Sequence, residues 1–298
     1  MTSVFSVSMD IIGIALALLS AAASGFSVVL VGRHSSESNS FNISLIISCV
    51  GVAALWPLAL FATDFQAANL IGITLFALCG VLSPGIVRLL YYEGLKSFGT
   101  AVNSSIVSIY PLYTSLLAVL MLNEILSVGN WIGIMFVVVG IIFVEISSQT
   151  SSFWVKTSKK RLIIPIASGL TLGVASIIRK VGLDFFNAPI FGVAISYSFS
   201  LIPYVLIFLV HLRTRREFHP KRDIRLFWIA GIGQAVSWLL AFYALSFENV
   251  SIVTPLISVE PIFVVLLAYL YLKRTESVPS KLMASIVLTV IGVVLISV

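Results

Sequence analysis

The sequence predicts an all-α integral membrane protein with ten transmembrane helices arranged as an inverted repeat of five and five. Ten apolar segments follow one another with short connections, and most are close to the roughly 20 residues that span a bilayer. Ser108-Ile109-Tyr110-Pro111 recurs 150 residues later as Ser258-Val259-Glu260-Pro261. Five segments lie in each half. An odd number of crossings per repeat gives the two copies opposite orientations in the membrane, an architecture typical of carriers.

The composition agrees with a membrane protein. Hydrophobic residues occupy 59% of the 298 positions and charged residues only 10%, against about 25% charge in a soluble domain. The net charge of +6 does not indicate nucleic acid as a partner, because the basic residues lie between apolar segments, where they set orientation. Cys49 and Cys79 both lie inside apolar stretches, so no disulfide framework is predicted.

The predicted spans divide the chain into two repeats. Residues 1–146 form the first five-helix repeat, 147–161 a basic linker, and 162–298 the second repeat. We read the first span as a retained helix, since no convincing cleavage site follows it. The ten predicted spans are 10–31, 43–62, 70–92, 101–122, 128–146, 162–180, 189–210, 224–246, 250–272 and 281–298.

The basic residues predict an orientation. Fifteen of the eighteen lie in the five odd-numbered loops, which should therefore face the cytoplasm of a plasma membrane. Arg179 and Lys180 are expected at the opposite face, and Arg88 lies within a span. With ten helices, both termini are predicted outside the cytoplasm.

Glu260 is the sharpest functional signal in the sequence. It lies about ten residues into the ninth span, close to the midplane at 1.5 Å per residue, where an ionisable group is costly. It is a candidate for proton coupling or substrate binding, and the competing interpretation is a structural glutamate that joins two helices. Pro111 and Pro261 are predicted kinks that place Tyr110 and Glu260 at corresponding depths.

Other polar groups within the spans are candidate substrate ligands. Arg88 could bind an anion bidentately, or it could extend to the interface near the end of its helix. Gln234 and Trp238 are four residues apart on one helix face, as are Tyr110 and Thr114. The candidate substrate-binding set is Arg88, Asn103, Tyr110, Gln234, Trp238 and Glu260.

The fifth and tenth segments are expected to be peripheral. Gly133 and Gly140 on the fifth, with Ala284 and Gly292 on the tenth, suit close helix packing in lipid, in an outer wall or a dimer surface. No catalytic, phosphate-binding or metal-binding motif is present in the sequence, and the three histidines lie in loops. We therefore expect neither an enzyme nor a bound cofactor or metal, and a monomer or a homodimer.

Nearly the whole chain resembles the drug/metabolite transporter superfamily, specifically its EamA type. In the first half the resemblance is carried by Arg88-Leu89-Leu90-Tyr91-Tyr92-Glu93-Gly94-Leu95, Tyr110-Pro111, Leu122-Asn123-Glu124, Trp131-Ile132-Gly133 and Gly140. In the second half it is carried by Phe242-Tyr243-Ala244-Leu245, Glu260-Pro261, Glu276 and Gly292. The resemblance implies a central cavity lined mainly by the first, third, fourth, sixth, eighth and ninth helices.

Together these features predict a secondary transporter that exports a small polar metabolite, such as an amino acid or related carboxylate. Arg88 would attract the anionic group, Trp238 and Tyr110 would enclose the apolar part, and Glu260 would bind a proton or a substrate amine. Two alternatives stay open at this point. One is uptake or exchange of a neutral solute such as a sugar or nucleoside. The other is a non-transporting scaffold or lipid-binding protein in which Arg88 and Glu260 pair.

Overall fold

The computed structural model of the chain is almost entirely helical. It describes residues 2–34, 37–98, 103, 106–147, 159–210, 220–272 and 280–297. In the first half the helices are α1 Thr2–His34, α2 Ser40–Ala62, α3 Leu70–Gly80, α4 Val87–Phe98, α5 Tyr110–Leu122 and α6 Val128–Ser147. In the second half they are α7 Ile163–Phe185, α8 Pro189–Val210, α9 Pro220–Phe247, α10 Val250–Ile257, α11 Glu260–Leu272 and α12 Ser280–Ser297.

Within these ranges, seven segments are long and apolar enough to cross a membrane. Three further apolar helices are shorter: Tyr110–Leu122, Val128–Val144 and Met283–Ser297. Each of the ten predicted spans overlaps at least one described apolar helix, and the spans that begin at 70 and 250 are each divided between two helices. The multi-helical membrane class is confirmed, and many of its apolar side chains are exposed on the outside of the bundle, as expected for a surface solvated by lipid.

Two boundaries differ from the predicted ones in ways that matter for the site. Helix α7 continues to Phe185, five residues beyond the predicted end at position 180. The predicted third span is interrupted by a π-helical segment, Val81–Ile86, in which Ser83 has extended backbone angles. The Tyr204 hydroxyl donates to the carbonyls of Pro84 and Gly85 at 3.0 and 3.3 Å, so the interruption is satisfied by a neighbouring helix.

Helices α1 and α9 pack along each other in antiparallel directions through a row of serines. Ser20, Ser24 and Ser27 recur at spacings of four and three, which places them on one face of α1. Ser20 Oγ donates to Ser237 O at 2.8 Å, and Ser27 Oγ donates to Ala230 O at 2.6 Å. Small hydroxyl side chains let the two backbones approach closely and supply hydrogen bonds between them.

Helices α6 and α12 form a second close pair. A Cβ atom on Gly133 would lie 2.8 Å from Gly292 O, and one on Gly292 would lie 2.7 Å from Gly133 O. A Cβ on Gly140 would lie 2.2 Å from Thr289 Oγ1. Three of the predicted small residues therefore serve packing within the chain, whereas Ala284 is exposed.

The two halves also meet where helix α10 begins. Glu124, just after α5, accepts hydrogen bonds from the backbone N–H groups of Val250 and Ser251 at 3.0 and 3.1 Å, and from the Ser251 hydroxyl. A helix N-terminus has unsatisfied N–H groups and a partial positive charge, both of which favour a carboxylate. Asn123 permits this approach because it takes the left-handed conformation, φ 54°, that ends α5.

Candidate functional site

The ninth predicted span is broken immediately before Glu260. Helix α10 ends at Ile257, Ser258 and Val259 form a turn, and α11 begins at Glu260. The same interruption occurs at Ser108 and Ile109, before Tyr110. Pro111 and Pro261 thus occupy the first turn of a new helix, where a missing N–H costs little. In both halves the break lies next to the polar residue that sequence reasoning selected.

Glu260 is partly buried and hydrogen-bonded to the other half of the chain. Ser24 Oγ on α1 donates to Glu260 Oε2 at 2.7 Å, and Gln234 Nε2 on α9 lies 3.5 Å from Ser24 Oγ. Sequence reasoning selected Glu260 and Gln234 but not Ser24. The serine spacing on α1 was the available signal, although it does not say which serine meets a carboxylate. The structural partner of Glu260 is this serine and not Arg88.

Trp238 lies one turn beyond Gln234 on α9, and its ring is covered by Arg179. The guanidinium carbon of Arg179 is 4.2 Å from the centre of the Trp238 ring and 5.1 Å from that of Phe242. Arg179 is only 3% exposed. The prediction that Arg179 lies at the membrane face is wrong, because α7 runs on to Phe185 and carries residue 179 more than a turn away from the helix end.

Most of the hydrogen-bonding capacity of Arg179 is unused within the described part of the chain. Its Nε and Nη2 atoms are buried and have no hydrogen-bond partner there. The guanidinium interacts electrostatically with Cys79, whose buried thiol lies 3.5 Å from Ala175 O. A buried cation without a carboxylate partner is uncommon, and such groups in a membrane mark sites of function.

Tyr110 is linked to both charged groups. Its hydroxyl donates to Thr254 O at 3.4 Å, and it is close enough to interact electrostatically with both Glu260 and Arg179. Thr114 Oγ1, one turn along α5, donates back to Tyr110 O at 3.0 Å. The structure therefore brings Tyr110, Gln234, Trp238 and Glu260 into one cluster, to which it adds Ser24 and Arg179.

The remaining two predicted ligands lie elsewhere. Asn103 is fully buried and donates from Nδ2 to Tyr91 O at 3.1 Å, and a Cβ on Gly94 would lie 1.8 Å from its Oδ1. Its contacts hold it against α4. Arg88 is partly buried and points to α2, where it donates to Ser44 O at 3.4 Å and Ser48 Oγ at 3.2 Å.

Lys180 has a separate, structural environment. Its Nζ donates to Leu245 O at 2.9 Å and Glu248 O at 3.3 Å, and it lies 3.7 Å from Asp184 Oδ1. A cation at the last carbonyls of a helix complements the helix dipole. The adjacent cations Arg179 and Lys180 therefore have different environments. Lys180 caps the end of α9, whereas Arg179 lies inside the bundle.

A surface groove of about 550 Å³ opens between the ends of α2, α7 and α9 and the start of α8. None of the predicted substrate ligands lines it, and its walls come mainly from the connections 62–67 and 185–190. The described residues hold no group of three or more His, Cys, Asp or Glu side chains that could bind a metal ion. The polar cluster inside the bundle is therefore the candidate site.

Comparisons with known proteins place the chain among transporters. Residues 11–146 and 160–298 match the model of the EamA-like transporter family. A crystal structure aligns with 98% of this chain and 98% of its own, with a TM-score of 0.74 and 16% identity, which shows a shared fold. An uncharacterized protein of Methanocaldococcus jannaschii, MJ1333.1, is 40% identical over 70 residues. That alignment spans 24% of this chain and half the length of the relative.

Proposed function

Because the chain belongs to the EamA-like transporter family, we propose that it is a secondary transporter that exports a small polar metabolite, such as an amino acid or related carboxylate. The observation that carries this proposal is the Ser24–Glu260 hydrogen bond of 2.7 Å. It places an ionisable group at a helix break, inside the bundle and at a contact between the two halves. Substrate and coupling-ion sites of inverted-repeat carriers are typically built in this way.

The proposed architecture is ten spans in two oppositely oriented repeats. The packing supports it, because helices of one half pair with helices of the other throughout: α1 with α9, α2 with α8, α3 with α7, α5 with α10 and α6 with α12. Suppose that each of the first five spans corresponds to the span five places later. Then α1 corresponds to α7 and α3 corresponds to α9, so the α1–α9 pair corresponds to the α3–α7 pair. The other three pairs map onto themselves, as a two-fold axis between the halves requires.

In this proposal the halves rock against each other around the polar cluster. Tyr110 and Glu260 begin the helices that follow the two breaks, so a small change in either break would move them relative to α9. Glu260 would bind a proton or a substrate amine in one state and release it in the other. Gln234 and Trp238 would contact the polar and apolar parts of the solute. We place the protein in the plasma membrane with its basic loops in the cytoplasm.

The first test is thermal stabilisation of the purified protein by amino acids, organic acids, nucleosides, sugars and cationic drugs. A solute that binds only the folded protein raises the melting temperature by mass action. We expect a small polar metabolite to stabilise the wild type, and Trp238→Leu to abolish that effect. Trp228→Leu is the matched control, since Trp228 is on the same helix but 47% exposed.

Three results would contradict the proposal in whole or in part. Stabilisation that survives Trp238→Leu would place the solute elsewhere. An absence of stabilisation by every class of solute would favour a scaffold or lipid-binding protein that keeps the transporter fold. Stabilisation by sugars or nucleosides alone would retain transport but replace the proposed substrate class.

A further inference from the structure

Arg179 is the most deeply buried cation with unused donors in the described part of the chain. It is 3% exposed, and its Nε and Nη2 atoms have no hydrogen-bond partner among these residues. The guanidinium carbon lies over the Trp238 ring, 4.2 Å from its centre, and 5.1 Å from the centre of the Phe242 ring. These contacts hold the group in place while leaving part of its donor fork unpaired.

A purely structural role explains this arrangement poorly. Stacking on an aromatic ring offsets only part of the cost of burying a cation. No described carboxylate lies within ion-pair distance of Arg179, whereas its neighbour Lys180 has two carbonyls and Asp184. A buried charge retained without a partner is expected where an anionic ligand completes the site.

The location of Arg179 relative to Glu260 supports a ligand that contacts both. Trp238 beneath Arg179 and Gln234 beside the Ser24–Glu260 pair are four residues apart on α9, or about 6 Å along its axis. Tyr110 interacts electrostatically with both charged groups. Arg179 and the Ser24–Glu260 pair therefore lie next to side chains that are one helical turn apart on α9.

We propose that Arg179, stacked on Trp238, binds the carboxylate of the transported solute. This inference rests on the proposed transport function and replaces Arg88 as the anion-binding residue. The planar guanidinium matches a carboxylate in bidentate geometry, and a dry environment strengthens the pair. Arg88 is less suited to this role because its side chain already donates to Ser44 and Ser48 on α2.

A carboxylate fits better than a phosphate. Phosphate monoesters carry a charge of about −1.5 to −2 near neutral pH, which one guanidinium does not balance. Glu260 also interacts electrostatically with Tyr110, and its carboxylate would oppose a second negative charge nearby. A singly charged carboxylate leaves Glu260 able to accept a hydrogen bond from an ammonium group on the same solute.

The test compares acids with their own amides. The full-length protein is purified, and each of the common L-amino acids and a set of short monocarboxylates is titrated by calorimetry. Every compound that binds is then compared with its carboxamide, which keeps the size and any ammonium group but lacks the negative charge. The variants are Arg179→Lys, Arg179→Gln, Arg88→Gln and, as the matched control, the adjacent Lys180→Gln.

We expect the wild type to bind the acid about tenfold or more tightly than the amide. Arg179→Lys should weaken acid binding about tenfold, Arg179→Gln should weaken it further, and amide binding should stay the same. The Lys180→Gln variant should bind the acid and the amide with the affinities of the wild type. If Arg179→Gln does not fold, Arg179→Lys tests the inference alone. Its ratio of acid affinity to amide affinity should be lower than that of the wild type.

The inference is overturned if no carboxylate binds the wild type, if acid and amide bind equally, or if only Arg88→Gln weakens acid binding. These failures are distinguishable from a failure of the transport function. Binding and flux of a neutral solute would leave transport in place and remove only the role of Arg179. A protein that binds no solute of any class would remove both.

Discussion

Ser24 on α1 donates a 2.7 Å hydrogen bond to Glu260 on α11, and the two residues belong to opposite halves of the chain. Gln234 of α9 lies beside the same serine. The two contacts together connect three helices at the point where the ninth span is broken. If one half moves relative to the other, either this hydrogen bond changes or Ser24 and Glu260 move together.

Removal of the serine hydroxyl should weaken the bundle at this point. We expect Ser24→Ala to lower the free energy of unfolding by about 1 kcal/mol, because Glu260 loses a hydrogen bond between helices. Unfolding in mixed micelles measures the difference. Ser285→Ala is the control, since among the described residues that hydroxyl bonds only to Lys281 O in its own helix, and its loss should change stability little. Equal effects of the two substitutions would contradict a special role for Ser24.

The carboxylate of Glu124 should stabilise the contact between the halves at the start of α10. Glu124→Ala leaves the N–H groups of Val250 and Ser251 without this acceptor, and we expect a loss of about 1–2 kcal/mol. Chemical unfolding of the purified variants measures it. Glu93→Ala removes an exposed carboxylate and serves as the control. A Glu124→Ala protein as stable as the control would show that this cap is not required.

Close packing of α6 on α12 should tolerate no side chain at Gly133. In Gly133→Ala the new Cβ would lie 2.8 Å from the Gly292 carbonyl oxygen, which cannot rotate away. We expect a loss of about 1–3 kcal/mol. Gly129→Ala, where the nearest atom is Ser127 Oγ at 3.4 Å, should be neutral or slightly stabilising. Unchanged stability of Gly133→Ala in the same assay would mean that the helices separate easily.

The predicted orientation can be tested with single cysteines in a background lacking Cys49 and Cys79. We expect a membrane-impermeant maleimide to label Asn187→Cys in intact cells and to label Thr214→Cys only after lysis. Asn187 lies between α7 and α8, and Thr214 lies in the basic loop that should face the cytoplasm. The reverse pattern would invert the assigned topology, and labelling of both in intact cells would contradict an odd number of crossings between them.

The sequence predicted the multi-helical membrane class and four of the six residues in the polar cluster. Apolar segment length identifies spans directly, and the depth of Glu260 and the four-residue spacing of Gln234 and Trp238 are readable from position alone. The matching breaks before Tyr110 and Glu260 follow from repeated prolines. These features are local or periodic, so no knowledge of the tertiary packing is needed to find them.

Arg179 and Ser24 were missed for different physical reasons. The predicted sixth span ended at Lys180, so the adjacent arginine was placed at the membrane face. Val181, Gly182 and Leu183 nevertheless follow Lys180 and are apolar, which was a signal to extend the helix although Asp184 precedes Phe185. The partner of Ser24 is 236 residues away in the sequence. Contacts of that separation depend on how the helices pack, which composition and spacing do not encode.

The most direct test of the transport account is the flux of the most strongly stabilising solute into liposomes, with and without a pH gradient. We expect the gradient to accelerate flux through the wild type and to have no effect on Glu260→Gln, which keeps the size of the side chain but cannot exchange a proton. Glu93→Gln, at an exposed position, should behave as the wild type does. Flux through Glu260→Gln that still responds to the gradient would contradict proton coupling at Glu260. A wild type that moves no solute would contradict the transport function itself.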